Sequence, residues 1–580
     1  MSDAARQSFA HHLAAAVGAA GAELDADAIV ELLSVPPNRD LGDLAFPCFV
    51  LARQLRQAPP KIAAALVDAL QPAIADDPVF SAVVATGPYV NVKLDPAGRA
   101  RGVLSAAVTD TWGRGDEGAG KTMAMDFSSP NIAKPFGIGH LRSTAIGHAL
   151  GNLYAQLGWR VVGYNHLGDW GTQFGKLMAA FELWGDEAKL DADPIQHLYE
   201  LYVQFHRDAE SDPSLIEQGR AWFKRLEEGD EAAHAYWTRF RDLSLREFQR
   251  IYDRLGVSFD YFQGEAFYND MLDDVTAEVE GAGITTVSEG ALVVPLDDLD
   301  MPPCLIRKSD GATLYATRDI AAAKVRLEQT GYDRFLYVVG VGQTVHFRQV
   351  FAVLERMGHA WADRLVHVPF GLIQGISTRK GTLVFLEDIL DRGRDLAREI
   401  VDDRPHLTDE EKDRIAEQAA IGAVVFQDLS RNRIKDYEFD WDQMLRGLRP
   451  GEPGRTGPYL QYTNVRLNSV LDEYADRVGD RPDPADVDFA TLEDADAAVI
   501  AELEKYPTVI RRAVADDEPS VLTRYLLDLA AAFNAFYSGG HRILSDDAAL
   551  SAARITLVAA VQNTLDRGLA ILGIPRPERM

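Results

Sequence analysis

Apolar residues recur at helical spacing near the start of the chain. Phe9, Leu13 and Val17 fall on one face, which predicts an amphipathic helix over 3–18. Val35-Pro36-Pro37-Asn38 reads as a loop, and 51–70 reads as a helix interrupted at Pro59-Pro60. Tyr89-Val90-Asn91-Val92-Lys93-Leu94 alternates apolar and polar positions at the end of 83–94, which is strand grammar. Together these form a small α+β unit. Four glycines in a charged setting over 113–120 then read as a linker.

A different pattern begins at Lys121. Thr122-Met123-Ala124-Met125-Asp126-Phe127 predicts a strand, Ser128-Ser129-Pro130-Asn131 a loop, and the stretch from Gly139 through Leu150 a helix. A further strand is expected over 160–164, followed by a glycine-punctuated loop over 167–171. Later strands are expected over 335–341 and 365–373. Strand, glycine turn, helix, strand is the grammar of a doubly wound parallel sheet. Ligands of such sheets bind beyond the carboxyl ends of the strands. Residues 175–285 are long helical text rich in acids, with Trp184, Trp222 and Trp237, and read as an insertion between the halves of the sheet. From 391 onward the periodicity is almost wholly helical. Residues 480–488 read as an exposed acidic loop, and no internal repeat is visible.

Composition narrows the class. The chain has 580 residues, 47% of them hydrophobic, enough apolar material for several packed cores. No apolar run reaches the ~20 residues needed to cross a bilayer. The N-terminus lacks the basic-then-apolar order of a signal peptide. The two cysteines, Cys48 and Cys304, are far apart and not in a metal spacing. A disulfide framework is therefore excluded, no structural metal is expected, and a reducing cytoplasm is the expected compartment. The formal charge of −29 argues against a general nucleic-acid coat. A local basic groove for RNA on an acidic body stays open.

The sharpest chemistry is in Ser129-Pro130-Asn131-Ile132-Ala133-Lys134-Pro135-Phe136-Gly137-Ile138-Gly139-His140-Leu141-Arg142-Ser143-Thr144. A strand ends in a loop whose glycines let backbone approach a ligand. A helix N-terminus follows, with free N–H groups and the positive end of its dipole suited to phosphate. Lys134, His140 and Arg142 add donors at the same end. A structural turn with solvated charges is the plain alternative.

The longer context resembles class I aminoacyl-tRNA synthetases, and the arginyl-tRNA synthetase family in particular. The segment is similar to that family's Ser-Pro-Asn-Ile-Ala-Lys-Pro block followed by the "HIGH" tetrad. Further blocks match in order: 165–175 (NHLGDWGTQFG), 314–320 (LYATRDI), 339–343 (VGVGQ), 457–462 (GPYLQY), 532–537 (AFNAFY) and the ending PERM. Gly375-Ile376-Ser377-Thr378-Arg379-Lys380-Gly381-Thr382 sits where the second class I motif, "KMSKS", belongs.

The resemblance implies three domains. These are a small α+β tRNA-contacting domain over 1–114, a Rossmann-type catalytic domain over 120–390 with its helical insertion near 175–285, and an all-α stem and anticodon-binding domain over 391–580. It implies ATP-dependent ligation of L-arginine to arginine tRNA through an arginyl-adenylate, with Mg2+ accompanying ATP. His140, Lys134, Arg379 and Lys380 would be catalytic. Gly137, Gly139, His140, His166, Gln343, His346, Ser377 and Thr378 would meet ATP, and Asn131, Glu265, Tyr315, Asp319 and Gln343 would hold arginine. His166 and Asp169 are placed at the ATP ribose or the pocket floor, with a purely structural role as the alternative, and Gln343 and His346 near the adenosine. A guanidinium offers five donors in a plane and needs acceptors; Glu265 and Asp319 would face it. Tyr315 and Asp319, four apart, would share one helix face.

For tRNA, residues 431–470 carry seven Lys/Arg against five acids, a locally basic stretch with Tyr459 and Tyr462 interleaved. The resemblance makes Tyr459, Tyr462, Tyr537 and Met580 anticodon contacts, with core packing as the alternative. It also makes Tyr89 and Asn91 contacts of the tRNA elbow, with an ordinary strand as the alternative. A monomer that meets no membrane is expected.

Two positions depart from the family pattern. The first histidine of the tetrad is Gly137, which supplies no side-chain donor. The second loop begins at Gly375 rather than lysine; Lys134 stands where the family is thought to compensate. Gly137 keeps a second reading open, a catalytically impaired paralogue that binds tRNA or arginine without efficient charging. A cysteine-specific relative of this fold would need a zinc site, and no Cys/His cluster is present to hold one.

Overall fold

The computed structural model describes residues 3–36, 38, 41–77, 79–374, 385–444, 446 and 454–580. The chain divides into two compact units. One holds Met1–Gly113, Thr463–Val509 and Tyr525–Arg567. The other holds Arg114–Tyr462, Ile510–Arg524 and Gly568–Met580.

In the first unit, helices α1 (Asp3–Ala19), α2 (Ala26–Leu32), α3 (Ala52–Leu55) and α4 (Pro59–Ala75) cover an antiparallel sheet. Its strands are β1 (Leu44–Pro47), β2 (Phe80–Thr86) and β3 (Tyr89–Leu94), with β3 in the middle. Phe9, Leu13 and Val17, the predicted stripe, are fully buried with Phe46, Leu66, Val90 and Val92. The two prolines open α4 rather than interrupt it, since the first helical turn needs no N–H from them. Helix α5 (Pro96–Ala107) follows; its Arg99 pairs with Glu504 at 2.6 Å.

The second unit is built on five parallel strands. Three come first: β4 (Thr122–Asp126), β5 (Arg160–Asn165) and β6 (Tyr261–Phe262). Between β4 and β5 runs α6 (Ile138–Gln156). Between β5 and β6 lie α7 (Thr172–Trp184), α8 (Glu187–Ala192), α9 (Pro194–Ala209), α10 (Ser214–Glu227) and α11 (Glu231–Leu255). Helix α12 (Leu272–Gly281) leads to a small antiparallel sheet, β7 (Thr286–Ser288), β8 (Ala291–Val294) and β9 (Cys304–Arg307). Helix α13 (Tyr315–Thr330), β10 (Arg334–Gly340), α14 (Thr344–Arg356) and β11 (Leu365–Phe370) complete the large sheet.

The strand order is β11-β10-β4-β5-β6, every pair parallel. The order reverses between β4 and β10, so their carboxyl ends open the crevice where such sheets bind ligands. The doubly wound sheet read from the sequence is therefore present, with one strand more than expected. The insertion is not purely helical, because β6 lies within it.

After β11, the two-residue β12 (Ile373–Gln374) pairs in parallel with β13 (Tyr437–Glu438) across helices α15 (Leu386–Val401) and α16 (Asp409–Leu429). The rest of the chain is helical, as expected: α17 (Trp441–Met444), α18 (Gly457–Arg477), α19 (Asp494–Leu503), α20 (Tyr506–Ala515), α21 (Ser520–Ser538) and α22 (Ala548–Ile571). No helix among the described residues is long and apolar enough to cross a membrane.

Candidate active site

The loop after β4 carries the site. Three of its residues that are not glycine, Ser128, Ser129 and Ala133, hold positive φ of 70°, 49° and 57°. Such backbone persists only where surroundings fix it. Here Ser128 N–H donates to Ser143 Oγ at 2.9 Å, Ser129 Oγ to Asp126 Oδ1 at 2.7 Å, and Ala133 N–H to Ser244 Oγ at 2.8 Å. The loop also zips to the one after β5: Gly168 N–H donates to Pro130 carbonyl and Ile132 N–H to Gly168 carbonyl. A Cβ on Gly168 would stand 2.2 Å from Asn131 Oδ1, so a larger residue there would push the Asn131 side chain aside.

These loops wall a cavity of about 300 Å³ beyond the ends of β4, β5 and β10. Asn131, His166, Glu265, Tyr315, Asp319, Gln343 and His346 all line it, so one cavity gathers the whole expected arginine set. Tyr315 and Asp319 stand one turn apart on α13, as their spacing predicted. His346 donates through Nε2 to Asp319 Oδ2 at 2.5 Å. His166 and His346, expected at the nucleotide, thus line the same cavity as the guanidinium partners.

Six further residues line it, Asp126, Ser129, Gly168, Arg318, Val339 and Phe347. Beneath them lies Arg326, which is completely buried. It pairs with Asp126 Oδ2 at 2.9 Å and approaches His166 Nδ1 at 3.1 Å. A guanidinium can only donate. His166 Nδ1 thus sits between that donor and the Gln263 carbonyl oxygen, also 3.1 Å away. Asp169, expected at the ribose or the pocket floor, is buried behind the cavity. Its carboxylate accepts from Ala266 N–H at 2.8 Å, and its carbonyl from Trp237 Nε1 at 2.7 Å.

Electrostatics separate two key groups. Burial pushes the Glu265 carboxyl up to about 7; the Arg318 charge opposes this, and Asp169 and Asp319 add to it. Burial pushes His140 down to about 4, with the Gly137 carbonyl pulling the other way and the Lys134 charge adding to the fall. His140 is therefore a neutral imidazole at physiological pH.

Gly137 is the N-cap of α6, with φ −78° and ψ 163°, and pairs by a backbone bridge with Phe385. That extended backbone suits any residue. Lys134 lies with Nζ 5.4 Å from the Tyr202 ring centre, and Gly139 is exposed. Ser377, Thr378, Arg379 and Lys380 lie outside the described residues.

The chain matches three family profiles: "tRNA synthetases class I (R), catalytic domain" over residues 103–441, "DALR anticodon binding domain" over 460–580, and "Arginyl tRNA synthetase N terminal domain" over 4–94. The chain belongs to the arginyl-tRNA synthetase family. It is 47% identical to the arginine–tRNA ligase of Exiguobacterium sibiricum, covering 99% of this chain and 100% of that one. It is 45% identical to arginine–tRNA ligase 2 of Bacillus anthracis, covering 96% and 97%. The arginyl-tRNA synthetase structure from Thermus thermophilus shares the fold, with TM-score 0.77 and 24% identity over 99% of this chain and 100% of that one. That from Plasmodium falciparum gives 0.76 and 22% over 94% of each.

The tRNA assignments made for this synthetase divide by exposure. Tyr89 and Tyr537 are exposed at 37% and 41%, Tyr89 with its ring edge on Phe49 and Tyr537 beneath the Arg466 guanidinium. Tyr459 and Tyr462 are half-buried. Asn91 lies in the central strand of its sheet at 3% exposure, and Met580 is 7% exposed with its carbonyl accepting from Arg404. Both of the latter side chains are buried.

Proposed function

We propose that this chain activates L-arginine with ATP and transfers it to the 3′ end of arginine tRNA. The observation that carries this reading is two carboxylates, Glu265 and Asp319, converging on one cavity with Asn131, Tyr315 and Gln343 at the switch point of the sheet. Two acids aimed at one site suit a planar cation and repel an acidic substrate.

The arginine carboxylate attacks the α-phosphorus, and the bond to the α–β bridging oxygen breaks to release pyrophosphate. Neutral His140 donates a hydrogen bond to the phosphate, and Lys134, Arg379 and Lys380 add charge. Mg2+ would accompany ATP and supply further positive charge to the phosphates. The terminal ribose hydroxyl of the tRNA then attacks the acyl carbon, and AMP leaves. Positioning and charge stabilisation do the work, without a covalent enzyme intermediate. Tyr89, Tyr459, Tyr462 and Tyr537 are the aromatic groups offered to the tRNA. The protein acts as a monomer in the cytoplasm. Only Gly137 speaks for the impaired-paralogue reading.

The test is charging of arginine tRNA with labelled arginine, ATP and magnesium, beside ATP–pyrophosphate exchange with and without tRNA. Charging and tRNA-dependent exchange are expected. Tight tRNA binding with neither activity overturns the reading.

The raised Glu265 carboxyl gives a pH signature. A guanidinium needs the ionised form, and the folded protein holds that carboxyl protonated below about 7. Arginine affinity is therefore full above this pH and lost as pH falls through it. The arginine KM at pH 6 is expected to be about tenfold that at pH 8, and Glu265→Gln should flatten the profile. A flat wild-type profile between those values would remove Glu265 from the guanidinium.

A further inference from the structure

We propose that His206, on helix α9 of the insertion, supplies the imidazole that position 137 lacks, meeting the departing pyrophosphate together with Lys134. This rests on the synthetase reading above and assigns it a residue that no sequence motif marked.

Tyr199, Tyr202 and His206 are spaced three and four apart on α9, so they share one face. That face runs beside the tetrad loop. The Tyr199 ring meets Phe385 edge-on at 6.2 Å, and Phe385 is the residue bridged to Gly137. One turn on, Tyr202 has Lys134 Nζ 5.4 Å from its ring centre. The His206 ring lies 4.6 Å from Tyr202. The lysine of the tetrad loop and the His206 imidazole thus both lie against the Tyr202 ring.

The surroundings of His206 suit an anion. Besides burial, the two charges that bear on it are Lys176 on α7 and Lys134, both positive. Lys134 also bears on His140, so one lysine connects the two imidazoles. Nε2 of His206 is shielded from solvent and has no hydrogen-bond partner. An imidazole flanked by two lysines, with an unsatisfied nitrogen, takes an acceptor of strong negative charge. The reaction supplies one. As the arginine carboxylate oxygen bonds to the α-phosphorus and the α–β bridge breaks, charge builds on the leaving pyrophosphate. A donor placed there acts in the transition state more than in the ground state.

The experiment substitutes His206 in two backgrounds, the natural chain and Gly137→His. Its readout is tRNA-dependent ATP–pyrophosphate exchange, with kcat and the KM values for ATP, pyrophosphate and arginine. In the natural chain His206→Ala is expected to lower kcat by about 10²-fold, with the arginine KM changed less than about twofold. In the Gly137→His background the same substitution should cost less than about tenfold, since the second imidazole takes over. His206→Gln, which keeps one side-chain N–H, should fall between wild type and alanine; it also serves if the alanine variant loses helical circular dichroism. An active wild type with His206 variants within about threefold of it overturns the proposal while leaving the synthetase reading intact. Equal losses in both backgrounds overturn it too, as does an arginine KM that rises in step with the fall in kcat.

Discussion

Asp319→Asn is expected to lower kcat/KM for arginine by about 10²- to 10³-fold. Removing one partner of a buried, hydrogen-bonded charge pair costs about 2–5 kcal/mol, and each ~1.4 kcal/mol is tenfold. The substitution is close to isosteric, and an asparagine oxygen can still accept from His346 Nε2, now 2.5 Å from Asp319 Oδ2. What is lost, on the proposed reading of the pocket, is the charge set opposite the substrate guanidinium. The ATP KM should stay within about twofold, because a side chain that binds only the amino acid changes only its term. Steady-state charging with each substrate varied in turn reads both values. An ATP KM that rises as far as the arginine KM would move Asp319 from the guanidinium to the nucleotide.

Much of the site was legible because its residues sit in local blocks whose chemistry is continuous in sequence. The loop from Ser129 to Lys134 follows a strand and precedes a helix, and the structure gives it that context. Tyr315 and Asp319 were readable from spacing alone, since one helical turn puts both on the cavity wall. Arg326 was not readable. Its partner Asp126 is 200 positions away in sequence, and a pairing of that kind leaves no periodicity. Arg318 stood in a motif but beside an acid, so nothing marked it as the charge that opposes the rise in the Glu265 carboxyl.

The fold shows the same division. The strands of the large sheet with five or more residues were all anticipated, whereas β6 has two, too few for a period-2 signal. The β7–β8 hairpin turns through Glu289 and Gly290, with φ of 50° and 83°. That turn favours Asn-Gly or Asp-Gly, and glutamate in its first position muted the signal. Strand β13 also has two residues and lies in otherwise helical text, where only its long-range partner β12 defines it. The exposure of the residues proposed for tRNA was least legible: Asn91 and Met580 are buried while Tyr89 and Tyr537 are exposed, and burial of an aromatic or polar side chain depends on tertiary packing.

Arg326→Met should destabilise the parallel sheet by about 3–5 kcal/mol, the cost of leaving one member of a buried ion pair uncompensated. Asp126 ends β4, and the guanidinium that answers it is fully enclosed, 5.0 Å from the Tyr164 ring centre and 5.4 Å from that of Phe335. Methionine fills much of the same space, so packing loss is a minor part. Lysine is not a rescue, because a single ammonium does not reproduce the planar fork that reaches both Asp126 and His166. Asp126→Asn combined with Arg326→Met should be more stable than Arg326→Met alone, since the orphaned charge is then gone. A melting temperature of so large a chain mixes several transitions. Hydrogen exchange at the β4 and β10 amides reads the sheet itself. Function should follow stability: with Arg326 absent, His166 loses the guanidinium 3.1 Å from its Nδ1, and the arginine KM should rise even at temperatures where the sheet is folded. Unchanged exchange at β4 and β10 would mean that Asp126 finds another partner and that the pair does not hold the floor of the site.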